Sequence, residues 1–125
     1  MGRFDGVLLA SDFDNTLVYT EDVLLSGGVL PPLSRENREA IEYFMSEGGI
    51  FSVATGRALP SFAPIAPTLP MNGPTILFNG AAIYDFARKE YLVTAFLPDD
   101  IRAKLAPVEE VFSGLTCEIY HEGSD

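Results

Sequence analysis

The chain has 125 residues, with 18 acidic and 8 basic side chains, a formal net charge of −10 and 47% hydrophobic residues. That length and apolar content suit one domain with its own core, while the negative balance excludes nucleic acid and anionic membranes, which demand a basic face. The single cysteine, Cys117, excludes an intrachain disulfide and suits a reducing compartment.

Residues 6–10 form the first predicted strand. The run Val7-Leu8-Leu9-Ala10 is almost wholly apolar, which suits a parallel strand buried on both faces. After Ser11 it ends in Asp12-Phe13-Asp14-Asn15-Thr16. A buried strand has no structural need for two carboxylates at its tip. Burying even one unpaired carboxylate costs several kcal/mol or forces it to stay protonated. A cation between the two acids removes that difficulty. Mg²⁺ typically takes one or two carboxylates and completes its shell with water and phosphate oxygens. An Asx-rich turn over Asp12 to Asn15 is the purely structural alternative.

Residues 17–33 read as a loop carrying Gly27-Gly28 and Pro31-Pro32. Ser34 then reads as a helix N-cap with Glu36 in the first turn. Ala40, Ile41, Phe44 and Met45 give the helix one apolar face, and Gly48-Gly49 ends it. A second apolar run, residues 50–54, ends in Thr55-Gly56-Arg57. A strand-to-helix turn of that composition offers backbone N–H groups and a hydroxyl to an anion, and the glycine permits close approach. Pro60, Pro64, Pro67 and Pro70 predict a short or kinked helix with loop. A third run, residues 75–78, ends in Asn79-Gly80. Three apolar strands ending in small polar residues follow the rule for open α/β sheets, whose ligands bind beyond the carboxyl ends of parallel strands.

Beyond Asn79 the pattern becomes antiparallel. Residues 81–86 and 91–96 flank Ala87-Arg88-Lys89-Glu90 as a hairpin. Pro98-Asp99-Asp100 opens and caps a helix with Ile101, Leu105 and Val108 on its apolar side, and Pro107 splits or bends it. Residues 115–120 alternate as a last strand, making Cys117 a half-buried structural thiol. His121 reads as a surface or partly buried residue outside the chemistry.

The segments DFDNTL at 12–17, VATGR at 53–57 and FNGAAIYD at 78–85 resemble the haloacid dehalogenase (HAD) superfamily, and within it the Cof-like IIB phosphatases. Order and spacing match for all three, and the resemblance covers essentially the whole chain. It implies an α/β fold: a HAD-like Rossmannoid parallel sheet, with the first three core strands in residues 1–80, then the start of an α+β type 2 cap in residues 81–125. It also implies a Mg²⁺-dependent phosphatase that acts on a small phosphorylated metabolite, such as a sugar phosphate, through an aspartyl-phosphate. In that scheme Asp12 is the nucleophile and Asp14 the general acid and base. The side chain of Asp12 and the backbone carbonyl of Asp14 hold the metal. Asn15, Thr55 and Gly56 bind phosphate. Arg57 contacts substrate or phosphate, or pairs with a nearby acid. Asn79 orients substrate or makes a turn with Gly80. Residues 17–33 become a flap over the site.

The family also carries a later lysine motif and a further acidic motif, neither of which appears in this sequence. Lys89 in the hairpin turn and Lys104 on an exposed helix face cannot substitute, nor can Glu109, Glu110, Glu118 and Glu122 in the cap. The chain therefore reads as the N-terminal part of a phosphatase, with low activity expected. The alternative is a catalytically inactive remnant serving as a binding or oligomerisation module. A receiver domain also uses an aspartate and Mg²⁺, but its acid pair and phosphoacceptor lie on different strands, unlike this D-x-D. The strand at 6–10 is expected to have one bare edge, inviting a homodimer, a strand-swapped oligomer or cover by a further C-terminal piece. No GxxxxGK[ST] or GxGxxG signature supports nucleotide binding. The N-terminal apolar run is too short for a signal peptide or a membrane span, so cytoplasm is the expected location.

Overall fold

The computed structural model describes residues 1–21, 23 and 27–121. Strand β1, Leu8–Ser11, pairs in parallel with β2, Ile50–Val53, in the register Leu8 to Ile50 through Ser11 to Val53. It starts two residues later than the sequence predicts. Gly6 adopts a φ of 79° in a turn closed by Val7 N donating to the Phe4 carbonyl (3.0 Å), and this delays extended backbone. Burial on both faces is also corrected. Leu8 is 64% and Leu9 48% exposed, because among the described residues β2 is the only strand flanking β1.

Helix α1, Arg35–Ser46, connects the pair and forms where its caps dictate. Ser34 is extended and its Oγ accepts from Asn37 N at 3.2 Å, while Glu36 lies at the positive end of the helix dipole. Gly48 ends the helix at a φ of 90°, a backbone conformation that side chains with a Cβ rarely adopt, and it lies against the Asp5 side chain. Ile41 is buried, with Phe44 and Met45 packed beside it. Ala40, expected on the same face, is exposed because it lies roughly a quarter turn off that stripe.

The third apolar run joins the parallel pair through one bridge, Ala54 to Ile76, rather than a full ladder. Residues 72–74 occupy the bonding edge of β2 instead. Asn72 Oδ1 accepts from Phe51 N (2.7 Å), Asn72 Nδ2 donates to the Gly49 carbonyl (3.0 Å), and Ser52 Oγ donates to the Pro74 carbonyl. Strand β3, Thr75–Leu77, then pairs antiparallel with β4, Ala82–Asp85, and β4 with β5, Glu90–Thr94. This sheet contains the expected hairpin.

The proline-rich segment gives helix α2, Leu59–Phe62, followed by a 3₁₀ turn, Ala66–Thr68, as its four prolines require. Phe62 drives inward and meets Phe13 edge-on at 5.8 Å in a core shared with Phe51, Val53 and Leu77. Helix α3, Ile101–Val111, runs unbroken through Pro107, so of the expected split or bend the split does not occur. The helix keeps flanking bonds such as Phe112 N to the Val108 carbonyl (2.9 Å), and the proline removes one donor within an otherwise intact turn pattern. Asp100 sits at its N-cap without a side-chain cap bond and pairs with Lys104 at 3.4 Å. Of the expected apolar side, Ile101 and Leu105 are half-buried and Val108 is exposed.

Residues 115–120 are not a strand. No sheet edge among the described residues receives their alternation, and Cys117 is exposed rather than half-buried. His121 is exposed, and Glu122 lies outside the described residues. No described helix is long and apolar enough to cross a membrane.

Candidate active site

Phe13 sets the first loop. Its ring is buried, and its carbonyl accepts from the backbone N–H groups of Thr16, Leu17 and Val18 at 3.2, 3.0 and 3.3 Å. Asn15 closes the turn with a φ of 58°, its N donating to the Val18 carbonyl at 2.7 Å. Asn15 Oδ1 accepts from Thr20 N (2.9 Å) and Glu21 N (3.2 Å), so this side chain braces the loop. With Phe13 turned inward, its neighbours Asp12 and Asp14 are left at the surface end of β1. Asp12 is exposed and its Oδ2 accepts from Thr16 Oγ1 at 2.9 Å.

The second loop follows β2. Thr55 is buried; its N donates to the Ile76 carbonyl (2.9 Å) and its carbonyl accepts from Asn79 N (3.1 Å). Thr55 Oγ1 accepts from Arg57 N at 3.1 Å, which folds the guanidinium back toward β1. Arg57 meets Asp14 with two parallel bonds, Nε to Oδ2 at 2.9 Å and Nη2 to Oδ1 at 2.7 Å. Its Nη1 reaches Ser61 Oγ at 3.3 Å, and the guanidinium lies 5.8 Å from the centre of the Phe13 ring. Of the two roles expected for Arg57, the structure displays pairing with an acid. The Arg57 hydrogen bond holds the Asp14 carboxyl below the ordinary carboxylate range. Partial burial opposes this, while a Thr20 hydrogen bond and the Arg57 charge reinforce it.

The third loop, Phe78 to Gly80, has Asn79 at a φ of 55° and Gly80 at 99°, so Asn79 makes the turn. Asn79 also packs on Gly56, where an added Cβ would stand 2.7 Å from Asn79 Oδ1.

The tips of β1, β2 and β3 thus converge, bringing Asp14, Gly56 and Arg57 to a cavity of about 340 Å³ with Ala58, Ser61 and Tyr120. Asp12 and Thr55 stand outside its wall. Three contributors escaped the sequence reading. Thr16 is four residues after Asp12, and Ser61 four after Arg57, spacings that could have been noticed. Tyr120 is remote in sequence and carried no signal.

No group of three His, Cys, Asp or Glu side chains that could hold a metal gathers among the described residues. Two oxygens nevertheless suit a hard cation. They are the exposed Asp12 carboxylate and the Asp14 backbone carbonyl, which takes no part in the bridge bonds made by Phe13 and Asn15.

The family model for haloacid dehalogenase-like hydrolases matches residues 9–122. Similar solved structures include a phosphatase of the haloalkanoate (HAD) enzyme superfamily from Bacteroides thetaiotaomicron, with TM-score 0.65 and 21% identity over 86% of this chain and 36% of that one. A haloacid dehalogenase-like hydrolase from B. subtilis gives TM-score 0.57 and 23% identity over 85% of this chain and 34% of that one. A HAD/COF-like hydrolase from Plasmodium vivax gives 0.56 and 25%, over 89% and 38%. The chain spans about a third of the length of these structures. No curated protein matches. Agreement of fold, together with a family match over nearly the whole chain, shows that this chain belongs to the haloacid dehalogenase-like hydrolases.

Proposed function

We propose that this chain carries the nucleophile of a Mg²⁺-dependent phosphomonoester hydrolase acting on a small phosphorylated metabolite. The observation that carries the reading is the placing of Asp12 and Asp14 on one tight turn at the tip of β1, bracketed by Thr55-Gly56-Arg57 at the tip of β2. An Asp12 carboxylate oxygen attacks phosphorus as the ester P–O bond breaks, forming an aspartyl-phosphate. Asp14 gives the departing oxygen a proton, then takes one from the water that hydrolyses the intermediate. Thr55, Gly56 and Asn15 steady the phosphoryl oxygens in this scheme, and Asn79 holds the Gly56 turn. Mg²⁺, held by the Asp12 carboxylate and the Asp14 carbonyl, would neutralise phosphoryl charge.

The ion pair with Arg57 bears on this cycle. It keeps Asp14 ionised, the form that accepts a proton in the second step, and the pair must loosen for Asp14 to donate in the first. The same bidentate contact, which holds Asp14 ionised and so opposes its proton donation, favours a second reading, a catalytically inactive remnant serving as a binding or oligomerisation module. Residues 1–80 serve as the core and 81–125 as the start of a cap in either reading. Cytoplasm is the proposed location, and a second copy on β1 the proposed protein partner.

Phosphate release from an aryl phosphate, with and without Mg²⁺, separates the readings. Release that requires Mg²⁺ and drops on the order of a thousandfold in Asp12→Asn is expected for the enzyme. Phosphate binding without release above the Asp12→Asn background would sink the catalytic reading and leave the binding module.

A further inference from the structure

We infer that the substrate's leaving group carries a flat apolar ring, which seats in a second cavity of about 250 Å³ beside the candidate active site. The inference rests on the phosphatase reading and narrows its substrate class. This cavity lies between the β4–β5 hairpin and the segment around residue 120. Its walls include four aromatic rings, Phe78, Tyr91, Phe96 and Tyr120, with the small side chains of Ala82 and Ala95 between strands. Phe96 is 74% exposed, so an occupant would cover apolar surface that water now touches.

Two links tie this cavity to the chemistry. Tyr120 lines both it and the cavity that holds Asp14 and Arg57. Phe78 N donates to the Arg57 carbonyl at 3.1 Å, so the Phe78 backbone is fixed to the phosphate loop. The Phe78 and Tyr120 rings stand 6.1 Å apart at 64°, and the Tyr120 hydroxyl donates to Glu118 Oε2 at 3.0 Å, which orients the ring. An ester substituent leaving the phosphoryl position beside Asp14 passes Tyr120 and meets Phe78.

The walls choose the chemistry of that substituent. Aromatic side chains take another ring through offset or edge contacts; Thr94, Glu118 and His121 also line the cavity, but Glu118 already accepts from Tyr120, so a polyhydroxylated group would lose more hydrogen bonds to water than it regains there. The volume lies just below the usual range of small-molecule pockets, roughly 300–1,000 Å³, and suits a single ring.

The test uses the full chain in Mg²⁺ and two non-hydrolysable probes, phenylphosphonate and methylphosphonate, titrated by calorimetry. Phenylphosphonate is expected to bind about tenfold more tightly, the gain from burying on the order of 60 Å² of apolar surface. Ala95→Leu, at an exposed position that fills the cavity, is expected to erase this advantage and leave methylphosphonate affinity within roughly twofold. Tyr120→Ala is expected to reduce the ratio as well. Equal affinities in the wild type, a preference that survives both substitutions, or failure of both probes to bind overturns the inference. A ring preference without turnover of an aryl phosphate would overturn the catalytic reading and with it the leaving-group assignment, leaving a ring-preferring phosphate-binding site. Asp12-dependent turnover without a ring preference would remove this inference alone.

Discussion

Arg57 places two nitrogens on the two oxygens of Asp14, at 2.9 and 2.7 Å, so one side chain governs the proton affinity of the proposed acid and base. Replacing it by Gln in Arg57→Gln removes the charge and the parallel fork. The Asp14 pKa is then expected to rise from its lowered value toward the ordinary 3.8, as read by carbon-detected NMR titration of the carboxyl. The linkage has a definite sign. A carboxyl whose folded pKa lies below its unfolded value stabilises the fold above the unfolded value, and this contribution disappears as pH falls through the folded one. The Tm gap between wild type and Arg57→Gln should therefore be widest near neutral pH and close below 3.8. A gap that stays constant through the acid range would show that Arg57 acts through packing on Phe13 instead. Asn79 poses a backbone question at the same scale. At a φ of 55° an alanine costs about 1–2 kcal/mol, whereas glycine accepts the conformation freely. Denaturant titration should show Asn79→Ala to be less stable than Asn79→Gly. Equal losses would assign the role to the Asn79 side chain against Gly56.

Among the elements, α3 carries the plainest conflict between residue and structure. Pro107 sits inside an exposed helix with no buried side chain, so nothing beyond the helix requires it. An interior proline costs about 3 kcal/mol relative to alanine, and Pro107→Ala should raise helical ellipticity and slow amide exchange over residues 101–111. Unchanged exchange would mean that the helix frays independently of that residue. The contrast with α1 explains what the sequence could reveal. Ser34 and Gly48 carry the cap chemistry in their own atoms, so the ends of α1 are legible from residue type alone. A strand needs an edge to pair with, and alternation at 115–120 cannot supply one. The apolar run of β1 misled in the same way, because burial depends on neighbours absent from the local pattern. In the site, the two acids after β1 and the Thr-Gly-Arg turn after β2 were legible, since a strand tip is a place where polar residues stand out. The partner that Arg57 selects, and the arrival of Tyr120, depend on tertiary geometry.

On the scale of the whole molecule, both faces of β1 are uncovered. Successive strand residues point to opposite faces, and Leu8 and Leu9 are 64% and 48% exposed, with Ile50 of the adjoining strand at 43%. Among the described residues the edge of β1 opposite β2 pairs with no strand. An apolar, unpaired edge is a template for another chain, and a charge of −10 is the principal force set against its use. That repulsion is long-ranged and screened by salt, with a Debye length of about 10 Å at 0.1 M, whereas apolar burial is not weakened by such screening. Self-association should therefore strengthen as salt is raised, the reverse of an interface held by ion pairs. Leu9→Lys should weaken it by about tenfold or more, because a lysine on the edge strand both removes apolar area and must be desolvated on pairing. Sedimentation equilibrium across a salt series, on wild type and Leu9→Lys together, reads both effects. A wild-type chain that remains monomeric at every salt concentration, with slowly exchanging β1 amides, would mean that strand pairing with β2 alone suffices to hold β1. It would also remove the second copy from the proposed partners.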